Sequence, residues 1–170
     1  MAMRDTFLPE FDYEMATTRK VLERVPEDKV TWKPHTSSME MGRLAGHIAE
    51  MAGFAAATFQ GDSFDFAPPG APRTQPTVMT SRKQLLELFD KNVASAKTAI
   101  GKASDDDLQK KWTLFNGGTT IFSMPRIQVM RSMILNHVIH HRGQLSVYLR
   151  INQVPVPSIY GPSGDEGPGH

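Results

Sequence analysis

The sequence predicts an all-α bundle folded as one domain over residues 1–170. Three observations predict it. Four segments carry apolar residues at helical spacing. The stretches between them are rich in proline, glycine and serine. The chain contains no cysteine, so nothing in it builds a disulfide framework or a thiolate cage. A chain of 170 residues can bury enough surface to fold without such staples.

The first helix is expected from about Thr6 to Val25. Leu8, Phe11, Met15, Leu22 and Val25 make one apolar stripe, and Pro26 ends it. A connector through Trp32 and Pro34 leads to the second helix, expected from about Met39 to Gln60 with Ser37 or Ser38 as its N-cap. Leu44, Ile48, Met51, Phe54 and Ala55 form its apolar face. Gly42, Gly46, Ala49, Gly53 and Ala56 form a strip of small residues that lets another backbone approach closely. The sequence leaves open whether that partner is a helix or a second subunit.

Residues 61–80 carry Pro68, Pro69, Pro72 and Pro76 and read as a long loop, a class used for lids and binding loops. Ser81 with Gln84 gives a capping-box pattern for the third helix, lined by Leu85, Leu88, Phe89, Val93, Ala96 and Ile100, with Gly101 as its stop. Ser104 and three aspartates read as a turn or a short helical start. Trp112 to Ile121, broken by Asn116-Gly117-Gly118, reads as a small hairpin. Ser123 and Pro125 open the fourth and longest helix, which ends near Asn152. Prolines at 155, 157, 162 and 168 make the tail at 153–170 non-helical, and His170 at its end is expected to be disordered.

Nineteen basic against eighteen acidic residues leave no footprint for nucleic acid or a membrane surface. No signal peptide and no apolar run of about 18 residues is visible, so a cytoplasmic protein is expected.

The six histidines carry the chemistry. On a helix His137 and His141 lie about 40° apart, one turn above the other. With His137 at zero, Met130 and Tyr148 fall at about 20° and Ile134 at about 60°, so both imidazoles sit mid-stripe. On the second helix Phe54 and Met51 flank His47 within about 40° on either side. Three imidazoles from two helices therefore aim at one interior. A buried imidazole without partners costs about 1–3 kcal/mol. Thr58, Glu50 and Gln144 are the few polar neighbours on these faces, whereas one metal ion accepts all three lone pairs.

Spacing alone leaves haem open, although without cysteine there is no c-type attachment motif, and the other competing motifs fail. His137-Val138-Ile139-His140-His141 lacks the glutamate of zinc proteases. Glu50 is the one well-placed carboxylate, too few for a di-metal bundle. No nucleophile elbow or phosphate-cradling loop exists.

Gly46-His47-Ile48-Ala49-Glu50-Met51, taken with Asn136-His137-Val138-Ile139-His140-His141-Arg142-Gly143-Gln144-Leu145, resembles the DinB family of the DinB/YfiT superfamily. Trp32-Lys33-Pro34-His35 and residues 154–162 extend the resemblance over nearly the whole chain. It implies an up-down-down-up four-helix bundle, a mononuclear metal on His47, His137 and His141, and often a dimer. Assigned members include metal-dependent thiol transferases, a thiol-dependent isomerase and hydrolase-like enzymes. The family name refers to DNA damage, but the charge balance here does not support DNA binding.

Three imidazoles suit Zn, Ni, Fe, Cu or Co, and Zn or Ni head the expectation with Fe and Co behind. The expected activity is attack of an external thiol or water on a small electrophilic substrate, transferase-like first and hydrolase-like second. A non-catalytic metal- or ligand-binding bundle, tied to stress, is the alternative. Glu50 and His140 are candidates for outer contacts or proton transfer. A solvated surface position is the competing reading of both. Gln144 and Tyr148 share the metal-facing arc as pocket residues, although Tyr148 also fits a core aromatic. Arg142 is expected to pair with a carboxylate of a neighbouring helix, and His35 to be a surface residue. Leu135 and Ile139 form a second apolar patch, expected to meet another helix or a second chain, and a homodimer follows from it.

Overall fold

Helix α1 (Met3–Leu22) buries Phe11, Met15 and Leu22 of the predicted stripe together with Phe7 and Val21, whereas Leu8 is half-buried and Val25, also buried, lies past the helix end. It starts three residues early because Asp5 accepts the Ala2 N–H and so holds the first turn. In the computed structural model, which describes residues 1–71 and 75–167, a single 3-10 turn (Glu27–Lys29) then leads to α2 (Met41–Ala57). Ser37 and Ser38 lie before that helix, and its N-cap is Glu40 without a side-chain cap bond. The next elements are β1 (Ser63–Asp65) and α3 (Arg82–Lys102). Ser81 caps α3 by accepting the Gln84 N–H, as its sequence signature predicts. Gly101 does not stop α3, which runs one residue further to a cap at Ala103.

Helix α4 (Asp105–Gln109) is closed by reciprocal bonds between Ser104 and Asp107. Strands β2 (Lys111–Asn116) and β3 (Thr119–Pro125) pair antiparallel around Gly117 and Gly118, whose positive φ values of 61° and 80° suit a two-residue hairpin turn. Strand β3 takes Ser123 and Pro125, so the following helix starts at Arg126 without a serine cap. One α turn, α5 (Arg126–Gln128), a π-helical stretch (Val129–Leu135) and α6 (Asn136–Ile151) continue without a break.

The all-α expectation is corrected in one respect: the chain is mostly helical but carries a small sheet, ordered β1-β2-β3. The hairpin is the predicted one. The parallel strand β1 is not, because three residues show no two-residue periodicity. It lies inside the stretch read as a bare loop. There the Asp65 carboxylate accepts the N–H groups of Ala67, Gly117 and Gly118, tying that stretch to the hairpin turn. Those three bonds hold Asp65 below its usual pKa, with Ala67 the largest contributor. Residues 72–74 of this stretch, Pro72 among them, lie outside the described residues.

Helix α1 packs on α3 and α6, and α2 packs on the same two helices. The strip of small residues on α2 meets partners within its own chain. Gly42 faces Val30 and Met79, Gly46 faces the Thr77 carbonyl, and Gly53 faces Asn92 of α3, whose Nδ2 donates to the Ala49 carbonyl at 2.8 Å. Leu135 is buried and Ile139 packs against the same core, so that patch is also covered by its own chain.

The tail after α6 is non-helical through Gly167, as its prolines dictate, yet firmly held. Asp165 pairs with Arg150, Glu166 pairs with Arg24, and Val156 is buried. His170 lies outside the described residues. Among the described residues no helix is long and apolar enough to cross a membrane.

Candidate metal centre

Two helices present the three imidazoles. His47 sits mid-way along α2, and His137 and His141 occupy the first two turns of α6, directly after the π-helical stretch. Their spacing of four brings the Nε2 atoms of His137 and His141 to 2.8 Å. The Nε2 of His47 stands 3.3 Å from that of His137. All three candidate ligand atoms lie within 4.8 Å of one another. A tetrahedral ion with bonds of about 2.0–2.1 Å needs ligand–ligand edges of about 3.3–3.4 Å, close to what the trio offers.

Two of the rings are hydrogen-bonded elsewhere by the protein, and the third faces a carboxylate. His141 Nδ1 bonds Gln144 Oε1 at 2.7 Å. His137 is bonded to the backbone of Met133. His47 Nδ1 faces Glu50 Oε2 at 3.7 Å. Such partners fix ring orientation and leave Nε2 as the coordinating atom.

Burial lowers the pKa of all three rings. His47 falls to about 4, first through loss of solvent, then through the nearby charges of His141, Arg43 and His137, with Glu50 opposing. His137 and His141 shift downward for the same leading reason, against their bonds to Met133 and Gln144. At neutral pH the trio is therefore uncharged. Three lone pairs crowded together at these distances repel one another unless a cation lies between them. The donor set fits a single divalent ion.

Glu50 is half-buried. Burial raises its pKa, but hydrogen bonds from Thr77 and the charge of Arg43 outweigh that and leave it below the usual range. It accepts the Thr77 N–H at 2.6 Å and the Arg43 Nη1 donor at 3.1 Å. Its carboxylate faces the outer edge of His47, away from the converging Nε2 atoms. His140 is exposed, with its ring edge-on to His141 at a centroid distance of 4.9 Å. Tyr148 is buried and packs edge-on against Trp32. His35 is exposed, its Nδ1 accepting the Ser37 N–H.

The chain matches the DinB superfamily over residues 10–145, most of its length. This chain belongs to the DinB superfamily. Among curated relatives, the uncharacterised protein YrdA of Bacillus subtilis is 26% identical over 166 residues, covering 95% of this chain and 90% of that protein. A DinB-like protein from Bacillus cereus superposes with a TM-score of 0.70 at 25% identity, covering 92% of this chain and 97% of the other. A second DinB-like protein, YjoA from Bacillus subtilis, shares the fold with a TM-score of 0.64 at 17% identity, covering 88% and 93%.

Two residues beside the trio escaped the sequence reading. Arg43 lies one helical turn before His47 and two before Glu50, so its spacing of seven from Glu50 was a legible signal. Thr77 comes from the loop and carried none.

Proposed function

We propose that this DinB protein is a mononuclear metal-dependent enzyme in which His47, His137 and His141 hold one divalent ion, Zn or Ni first and Fe or Co next. The observation that carries the reading is the convergence of three uncharged Nε2 atoms, with His137 and His141 hydrogen-bonded by the protein elsewhere on their rings and His47 facing Glu50. When bound on three neutral imidazoles, such an ion keeps coordination positions open and lowers the pKa of a thiol or water.

The chain has no cysteine, so a thiol must enter as a low-molecular-weight co-substrate. The thiol loses its proton, its sulfur bonds the electrophilic carbon of the small substrate, and the leaving group departs with its electron pair. Hydrolysis replaces the thiol with water. His140, exposed beside His141, takes up the proton at the solvent side. Glu50, ionised, lies 3.7 Å from Nδ1 of His47 and favours the ring proton on that nitrogen by its charge. Gln144 and Tyr148 form the wall of the site, Gln144 through its bond to His141.

The same reading places the four long helices in up-down-down-up order and the protein in the cytoplasm, acting on small molecules rather than nucleic acid. It also takes the protein as a homodimer, with the exposed Val147 and Ile151 of α6 as apolar surface, and sedimentation in the micromolar range tests that.

The deciding experiment is elemental analysis of untagged protein, paired with thiol-plus-electrophile assays on metal-loaded and chelated samples. About one ion per chain and a rate lost on chelation are expected. Equal rates in the two forms overturn the enzyme and leave a metal-binding bundle.

A further inference from the structure

Residues 75–79 run along α2 immediately outside the metal centre, and one residue of this strap is gripped through both its N–H and its carbonyl. Thr77 N–H donates to Glu50 Oε1 at 2.6 Å, and Arg43 Nη1 donates to the Thr77 carbonyl at 3.3 Å. Arg43 Nη1 also reaches Glu50 Oε2 at 3.1 Å, closing a ring of three contacts. Below it, Met79 N–H donates to the Gly42 carbonyl at 3.0 Å.

The approach depends on Gly46, next to His47 in sequence: a methyl group there would sit well inside van der Waals contact of the Thr77 carbonyl. The same Glu50 carboxylate faces Nδ1 of His47. Coordination through Nε2 requires the proton of His47 to reside on Nδ1, the nitrogen that Glu50 addresses. Glu50 is thus shared between a metal ligand and the strap.

We propose that residues 75–79 are a positioning strap for the metal centre: Arg43 and Glu50 clamp Thr77 by its carbonyl and its N–H, and through Glu50 the clamp orients His47. Arg43 and Thr77 are positioning residues that touch no ligand atom. Because coupling free energies are reciprocal, a docked strap tightens metal binding and bound metal tightens the strap by the same factor. This inference rests on the reading of the trio as a metal site.

The test uses the full chain, zinc as the probe and two readouts, zinc affinity by chelator competition and hydrogen exchange of the Thr77 amide. Zinc is expected to slow Thr77 exchange about tenfold in the wild type, in line with the effect of outer contacts on metal affinity. Gly46→Ala, which lifts the strap, and Arg43→Ala, which opens the clamp, each weaken zinc binding about tenfold although the trio is untouched. Glu50→Gln keeps an acceptor for Thr77, so the strap stays docked without metal, but zinc no longer slows its exchange.

Exchange of core amides in α3 reports folding, and if Gly46→Ala disturbs it, Arg43→Ala decides. Wild-type protein that takes up neither zinc nor any of Ni, Fe and Co sinks the metal reading and the strap together. Wild type that binds zinc while Thr77 exchange stays within twofold, or while Arg43→Ala binds as tightly, sinks the strap alone.

Discussion

His141 and Arg142 are neighbours in sequence, about 100° apart on α6, and they end in opposite situations. Arg142 is fully buried and saturated. It pairs with Glu14 Oε2 of α1 at 2.7 Å and donates to the Glu14 carbonyl, the Thr18 hydroxyl and the Tyr160 hydroxyl. Tyr160 in turn donates to the Glu14 carboxylate at 2.9 Å and stacks on Tyr13. The His141 ring is satisfied on one edge by Gln144, while its other edge faces two further lone pairs. Buried polar groups that close on each other hold a fold. Those left open toward a shared point are arranged for something else.

The comparison breaks most visibly on the saturated side. Arg142→Ala strands the Glu14 carboxylate inside the protein, and losing one partner of a buried pair costs about 3–5 kcal/mol. Denaturant unfolding should show that loss, while whatever fraction remains folded keeps its metal stoichiometry. On the open side the effects reverse. His137→Ala or His141→Ala should drop metal content below about a tenth of wild type, because two imidazoles do not complete the site. The metal-free forms should unfold within about 1 kcal/mol of the metal-free wild type, since the crowded lone pairs stabilise nothing. His140→Ala should keep its metal.

A smaller change separates a ligand from what aims it. Gln144→Leu removes the acceptor on His141 Nδ1 without touching Nε2. Metal affinity should fall about tenfold with no change in stoichiometry, read by chelator competition. An unchanged affinity would mean that His141 is oriented by packing alone.

How much of this was legible follows the same division. The ligand trio was readable because a spacing of four on one helix and a central position on another are periodic facts, and periodicity survives folding. The pairing of Arg142 with a neighbouring helix was readable for the same reason, though Glu14 as its partner was not. The sheet was half readable. Asn116-Gly117-Gly118 announces a turn, whereas β1 exists only by pairing with the distant β2, and Asp65 ties it to residues 52 and 53 positions away. Thr77 is the same case. Its role comes from a loop folding back onto Gly46, and nothing in a proline-rich stretch says where it will land. The small residues of α2 signalled a close approach without saying to what. The identity of the visitor is tertiary information.

The subtlest contrast is with pH in the metal-free protein. His47 carries a folded pKa of about 4 against an ordinary 6.5, because burial and the charges around it disfavour the imidazolium. His137 and His141 shift in the same direction, burial leading. Between those values the unfolded chain binds more protons than the folded one, so stability rises with pH. The contribution of the trio is complete above about pH 7. It is lost progressively as pH falls through 6.5 toward the folded values. Urea midpoints of metal-free protein should therefore decline from pH 7 to pH 4.5, and His47→Ala should flatten part of that decline. A slope that survives replacement of all three histidines would place the acid sensitivity elsewhere and remove the distinction between an open trio and a closed one.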